Sequence, residues 1–495
     1  MIGAGLSGLS AACHLVGAGH DVVVLERESA AGGRGIRRWA DGFAFDTGPT
    51  VMTMPGLVDD ALRAVGTTLD DRLPMRRLDP AYRACFADGS EIQVRHGVEA
   101  MRQEIAATCG RADAERFPQF AAWLKSLYDV EMPHFIDANY DSPLGLLRRP
   151  LAAARLLRLG GFGRLGPAIR HWFADERLHR LFSFQALYAG LPPERALALY
   201  AVITYMDSIE GVWFPQGGMD AIAATMAQAA MDAGAELRLD TTVDRILLDR
   251  RGVVAGLQVA GGERIQADAV VCTVDLPTAY ARLLPTVAAP RVTQRGTYSP
   301  SAVVWHVGVR GRPGPAVRHH NIHFGREWAS SFDALIDRGE LMPDPSRLVS
   351  VPSLSDDSLA PAGHSVLYVL EPVPNLSGRV DWDTQRGPMR ERLHGFLEAN
   401  GYPTDVVTEH LVTPLDWAAA GMHLGTPFAL AHTFRQTGPF RPGNLDRRVP
   451  GLVFAGSGTV PGVGVPMVLV SGKLAARRVG EYLPRVRGAR VATRA

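Results

Sequence analysis

Met1-Ile2-Gly3-Ala4-Gly5-Leu6-Ser7-Gly8 opens the chain, and the reading of these eight residues decides the fold. Glycines at 3, 5 and 8 have the GxGxxG spacing of a strand-to-helix turn that holds a dinucleotide. Gly3 makes the tight turn, Gly5 lets the backbone approach a pyrophosphate, and Gly8 lets helix and strand pack closely. The residues immediately after Gly8 agree with this. Residues 10–16 (SAACHLV) read as a helix, Gly17-Ala18-Gly19-His20 as a turn, and residues 21–25 (DVVVL) as a buried parallel strand. That strand ends at Glu26, 26 − 8 = 18 residues past the third glycine, where an acid that binds ribose hydroxyls belongs. The helix N-terminus would stabilise the phosphates. The plain alternative is a glycine-rich turn in an ordinary α/β unit.

Only Met1 and Ile2 precede Gly3, whereas a strand usually has about 5–6 residues. The expectation is therefore that the true start lies upstream, with Met1 standing where such a first strand carries valine.

The chain's 495 residues exceed one small core and imply two or three domains. A net charge of +1 argues against nucleic acid as a partner. The four cysteines, Cys13, Cys85, Cys109 and Cys272, are scattered without metal spacing, so a reduced, cytoplasmic setting and no metal are expected. No run of about 18 apolar residues occurs, so no membrane span is expected.

Further glycine turns come after the ribose strand: residues 31–35 (AGGRG) and 43–50 (FAFDTGPT), the latter read as a third tight turn. Residues 82–94 read as a β-hairpin around Asp88-Gly89. Residues 97–210 look almost wholly helical, too long for a loop. Residues 211–218 (GVWFPQGG) break that pattern. A helix at 219–233 comes next, then strands at 236–239, 243–248, 253–259, 263–265 and 267–273. Residues 300–440 alternate strands and helices. Residues 451–456 form a strand that runs into SGTVPGVGVP and a helix from about 467 to 482.

The fold class expected is α/β. A Rossmann-type dinucleotide-binding domain would be assembled from residues 1–80, 211–290 and 441–495. A mixed-sheet substrate domain takes 81–96 and 291–440, and a helical, membrane-associated insertion takes 97–210.

Taken together, the segments GAGLSGL (3–9), GGR (32–34), FDTGPTV (45–51), FSFQALYAG (182–190), GVWFPQGGM (211–219) and GSGTVPGVGVPMVLVSGK (456–473) resemble the bacterial phytoene desaturase family, within the amine-oxidase-like FAD superfamily. The resemblance implies FAD, a hydrophobic carotenoid substrate, and an enzyme peripheral on the inner face of the cell membrane. Its product would be lycopene or neurosporene, and a homo-oligomer stays open. Carried over by motif, Gly3, Gly5, Leu6, Ser7, Gly8, Glu26, Gly33 and Arg34 would bind the ADP and pyrophosphate half. Val243 would meet the adenine through its backbone. Gly48, Pro49, Thr50, Gly456, Thr459, Gly464, Val465 and Met467 would surround the flavin. Val460 departs from the His often seen in the family's GTHPG version.

Desaturation removes a hydride from an allylic carbon and a proton from its neighbour, and the polyene delocalises the developing positive charge, so a base is a light demand. Asp207 and Glu210 are candidates, with Asp207 preferred; a solvated or structural acid at a helix end is the competing reading for both. Asp137, Asn139 and Asp141 form a second, weaker cluster. His319, His320 and His323 invite a metal, but read better as a solvated strand end. Between Asp141 and Asp175, Arg148, Arg149, Arg155, Arg158, Arg164 and Arg170 interleave with leucines and no acid. That pattern suits a membrane interface, against a buried helix pair with an arginine rim. Arg485, Arg487, Arg490 and Arg494 would add charge. The alternatives are a flavin-dependent carotene isomerase, a desaturase or oxidase of another carotenoid, an amine oxidase, and a non-enzymatic prenyl-protein escort.

Overall fold

The structure is a computed structural model and describes residues 1–140 and 142–492. Asp141 and Arg494 lie outside the described residues, as do the side chains of Leu146, Leu147, Arg485, Arg487 and Arg490.

A parallel sheet carries the glycine loop. Val23–Leu25 pairs in parallel with Glu236–Arg238, and Val270–Cys272 with Leu452–Phe454. Ile2 bridges Leu25 on one side and Cys272 on the other, which joins the two pairs. Four segments far apart in sequence thus make one sheet. Val270–Cys272 and Leu452–Phe454 are wholly apolar and buried, as burial on both faces requires, whereas Glu236–Arg238 is the more exposed strand beside Val23–Leu25. The helix after the glycine loop begins at Leu6 and runs to Gly17, four residues earlier than SAACHLV indicated. A long helix, Val465–Ala492, packs along it. Ser10 donates to the Leu469 carbonyl at 2.7 Å, and a side chain at Gly472 would collide with the Ser7 carbonyl.

The segment read as a third tight turn is in part a strand: Phe43–Asp46 pairs antiparallel with Arg37–Ala40. Its alternation places Phe43 and Phe45 in the core. Asp46 then accepts the Met219 N–H at 2.8 Å and the Asp220 N–H at 3.3 Å, capping the Asp220–Asp232 helix. The GVWFPQGG segment forms the strand Val212–Pro215, paired with Met75–Leu78, and the Trp213 N–H donates to the Met52 carbonyl. The FDTGPTV and WFPQGG motifs are therefore neighbours.

A seven-stranded mixed sheet forms the second layer, in the order 405–412, 301–310, 364–373, 347–350, 320–324, 82–86, 91–94. The Tyr82–Phe86/Glu91–Val94 hairpin joins it through one parallel pairing, with His320–Phe324. This pairing corrects the reading of His319, His320 and His323 as a solvated strand end. Their strand is internal to the sheet, and the three side chains are 6%, 0% and 8% exposed. Burial pushes His320 and His323 down to about 4, so both are neutral. No cluster that could hold a metal occurs among the described residues.

Residues between the hairpin and the WFPQGG strand are helical, including Val98–Thr108, Arg111–Glu131, Pro150–Arg158 and Leu165–Trp172. No helix among the described residues is long and apolar enough to cross a membrane. All four cysteines are free, and burial raises the Cys13 and Cys272 thiols to about 12.

Candidate functional site

One cavity of about 1010 Å³ runs from the glycine loop to the inner face of the large sheet. That is at the upper end of the range for small-molecule sites, which suits an extended ligand. Gly3, Gly5, Leu6, Ser7, Glu26, Gly33, Arg34, Gly48, Pro49, Thr50, Asp207, Val243, Gly456, Thr459, Gly464, Val465 and Met467 all line it. Gly8 lies behind this lining. A side chain there would run into the Gly3 carbonyl, so Gly8 lets the helix press against the turn. Gly3 has φ +94, and a side chain there would meet Thr273.

Glu26 ends its strand 6% exposed. Its Oε2 accepts the Ala4 N–H at 2.7 Å and its Oε1 the Glu28 N–H at 3.1 Å. The carboxylate is thus tied to the glycine turn while lining the cavity. Arg34 crosses the cavity wall, donating to the Pro427 carbonyl and to Ser457 Oγ at 2.5 Å. Two helices, Leu6–Gly17 and Val465–Ala492, begin at the cavity. Their unpaired N–H groups favour anionic or electron-rich ligand atoms.

The loop before the C-terminal helix is held by residues that motif reading did not single out. Arg441, 3% exposed, donates to the carbonyls of Ser457 (2.6 Å), Thr459 and Leu430 (both 3.1 Å) and Gln436 (3.3 Å). Burial lowers its guanidinium to about 10, which leaves it charged at neutral pH. Ser471 Oγ accepts the Gly456 N–H and meets Thr459 Oγ1, both at 3.0 Å. The Arg-Pro after Phe440 was the one available signal for Arg441. Nothing in local periodicity pointed to His432, whose buried ring packs on Gly462.

Beyond the glycine loops the lining becomes mostly apolar, with Val202, Ile203, Met206, Leu348, Leu370 and Val304 among others. Asp207 lies here, 2% exposed, rather than at a solvated helix end. It sits in the wide turn Tyr205–Ile209, where the Glu210 N–H reaches back to the Tyr205 carbonyl. Glu210 is exposed, accepts the Tyr205 hydroxyl at 2.9 Å, and does not reach the cavity. Asp137 ion-pairs with Lys473 (3.1 Å) and Arg477 (3.0 Å), and Asn139 donates to the Leu474 carbonyl. These two dock the helical region on the C-terminal helix, and neither lines the cavity.

The arginine-rich stretch divides. Arg149 donates to the Pro133 carbonyl, Arg164 to the Arg195 carbonyl, and Arg170 pairs with Glu194. Arg148, Arg155 and Arg158 are exposed, beside Leu144, Leu151, Leu157 and Phe162 at 70%, 85%, 65% and 43% exposure. Phe162, Phe434 and Phe440 are exposed and also line the cavity, so this apolar rim is the cavity's mouth.

The model of the flavin containing amine oxidoreductase family matches residues 6–480. The chain is 50% identical to a phytoene dehydrogenase of Streptomyces griseus, covering 97% of this chain and 94% of that protein. It is 35% identical to a zeta-carotene-forming phytoene desaturase of Myxococcus xanthus, covering 97% and 93%. Among solved structures, an oxidoreductase from Methanosarcina mazei superposes with a TM-score of 0.63 at 17% identity, covering 97% of this chain and 99% of that one. The last likeness shows the fold alone. The chain belongs to the flavin containing amine oxidoreductase family and, within it, to the bacterial phytoene desaturases. Its cofactor is FAD. The residues present fit that group: two glycines that exclude side chains, a buried acid one strand away, and two helix N-termini around one cavity.

Proposed function

We propose that this oxidoreductase desaturates phytoene to more conjugated carotenes, with lycopene or neurosporene as product. The carrying observation is the single cavity: its glycine-loop end suits a dinucleotide, its remaining length is apolar, and its mouth opens among exposed Leu and Phe side chains. A C40 hydrocarbon has no polar group to recognise, so shape and dryness must position it. FAD supplies the hydride acceptor when bound.

The chain's own residues divide the work. Glu26 and the Gly3–Gly8 turn hold the ADP half, with Gly33 and Arg34 at the pyrophosphate and the Val243 backbone at the adenine. Gly48, Pro49, Thr50, Gly456, Thr459, Gly464, Val465 and Met467 shape the flavin's surroundings, kept in place by Arg441. The large sheet and residues 202–206 exclude water from the reacting carbons.

The substrate lives in lipid, and the mouth's composition supports contact with a membrane surface. Exposed Leu144, Leu151, Leu157 and Phe162 would enter the interface while Arg148, Arg155 and Arg158 meet anionic headgroups. The test is anaerobic. Phytoene in liposomes should bleach the enzyme's flavin stoichiometrically and yield longer-wavelength polyenes. Isomerisation without bleaching would refute the reading.

A further inference from the structure

The apolar part of the cavity contains two buried carboxyls, and they differ in their surroundings. Glu131 is 4% exposed, and its Oε1 has no hydrogen-bond partner. Burial alone holds its carboxyl well above the usual range, so it is a neutral wall group. Asp207 is surrounded by donors. Ser208 Oγ donates to Oδ1 at 2.7 Å, and Gln185 Nε2, itself fully buried, lies 3.4 and 3.3 Å from the two carboxyl oxygens. The Tyr82 phenol, fully buried on the Tyr82–Phe86 strand, adds a dipole nearby, but its hydroxyl makes no hydrogen bond. These groups stabilise the anion inside an otherwise apolar chamber, an arrangement with no evident packing benefit.

The same wall reaches the loop assigned to the flavin. The Tyr82 ring lies 5.7 Å from that of His320, whose Nε2 contacts the Thr50 carbonyl at 3.1 Å, and Thr50 lines the cavity. Tyr188, also lining the cavity, closes the other side of the acid.

We propose that Asp207 is the proton acceptor of the desaturation, with Gln185 and Ser208 as its positioning residues. This rests on the desaturase reading. One allylic C–H bond breaks, and its electron pair leaves as hydride to the oxidised flavin. The adjacent C–H bond breaks heterolytically, its pair becomes the second bond of the new alkene, and its proton passes to the Asp207 carboxylate. Asp207 returns that proton to water before the next turnover.

The balance of burial against its donors places Asp207 at about 7, where it cycles readily between forms. The titratable groups facing it do not compete. Burial pushes Tyr82 and Tyr188 upward, so both stay neutral phenols, and His320 behind Tyr82 is down at about 4. The substrate has no ionisable group. The rate should therefore rise with pH through about 7 and level off above, because only the ionised carboxylate accepts.

The test compares FAD-loaded wild type, Asp207→Asn and Asp207→Glu in anaerobic single-turnover bleaching by phytoene in phosphatidylglycerol-containing liposomes. FAD affinity and melting temperature serve as folding controls. The Asn variant should retain FAD, bleach about 100-fold more slowly and lose the rise near neutral pH. The Glu variant should keep a pH-dependent rate. Independently of turnover, the apoprotein should show a protonated-carboxyl infrared band that titrates near pH 7 and is missing in the Asn variant. Bleaching of the folded Asn variant at the wild-type rate with the same pH profile overturns the proton-acceptor role alone. A wild-type flavin that phytoene does not bleach overturns the desaturase reading, and this proposal with it.

Discussion

Replacing Glu26 with Ala should separate the nucleotide half of the site from the rest. The carboxylate lines the cavity and accepts two backbone N–H groups, from Ala4 at 2.7 Å and Glu28 at 3.1 Å. Ala4 is fully buried, so its N–H would be orphaned, at a cost of about 1–3 kcal/mol to the apoprotein. Loss of charge-assisted bonds to the ribose adds about 1.5–3 kcal/mol to the binding side alone. At about 1.4 kcal/mol per tenfold, FAD should bind roughly 10–100-fold more weakly. Flavin fluorescence titration of the apoprotein measures this directly. Thermal melting gives a second reading. FAD at about 100 times the wild-type Kd stabilises wild type by about 2.7 kcal/mol, but the variant by only about 0.4–1.4 kcal/mol. An Ala variant that titrates with the wild-type Kd, whatever its melting temperature, would show that Glu26 braces the turn without touching FAD.

Four further outcomes are expected. Arg441→Lys should lose about 3 kcal/mol or more of stability by leaving several buried carbonyls unpaired, with flavin retention on dialysis falling in parallel. Charge reversal of Arg148, Arg155 and Arg158 to Glu should remove about 1 kcal/mol of attraction per site, cutting co-sedimentation with anionic liposomes about 100-fold while FAD binding holds; high salt should weaken wild-type binding likewise. Asp207→Asn should melt higher than wild type above neutral pH. Between about 4 and 7 the unfolded chain has released the Asp207 proton and the folded chain still holds it, so wild-type stability falls across that window, by at most about 4 kcal/mol, and Asn removes the loss. Gln185→Leu removes a donor to the anion and should move the alkaline-rising limb of the bleaching rate to higher pH, whereas an unmoved limb would mean that Gln185 does not hold the acid.

The cofactor face was legible in the sequence because its constraints are local. A tight turn, a close backbone approach and a helix start dictate Gly3, Gly5 and Gly8 in order, and an apolar strand of defined length delivers Glu26. The C-terminal SGTVPGVGVP run is local in the same sense, since it ends where the Val465–Ala492 helix begins, with Pro466 in its first turn. The substrate side was not legible, because its properties arise between segments. His319, His320 and His323 look like surface residues until the Tyr82–Phe86 hairpin strand pairs beside them and makes their strand internal. Arg441 matters only because distant carbonyls converge on it. Asp207 has no motif. Its character comes from a wide turn that aims it at the cavity, from Gln185 22 residues away, and from Tyr82 on another element. Backbone conformation is encoded by neighbours in the chain, so the sequence by itself determined the nucleotide loops. Dielectric, burial and convergence depend on what packs from elsewhere, so only the tertiary structure decided which acid is buried at the cavity, which arginine braces the loop and where the cavity opens.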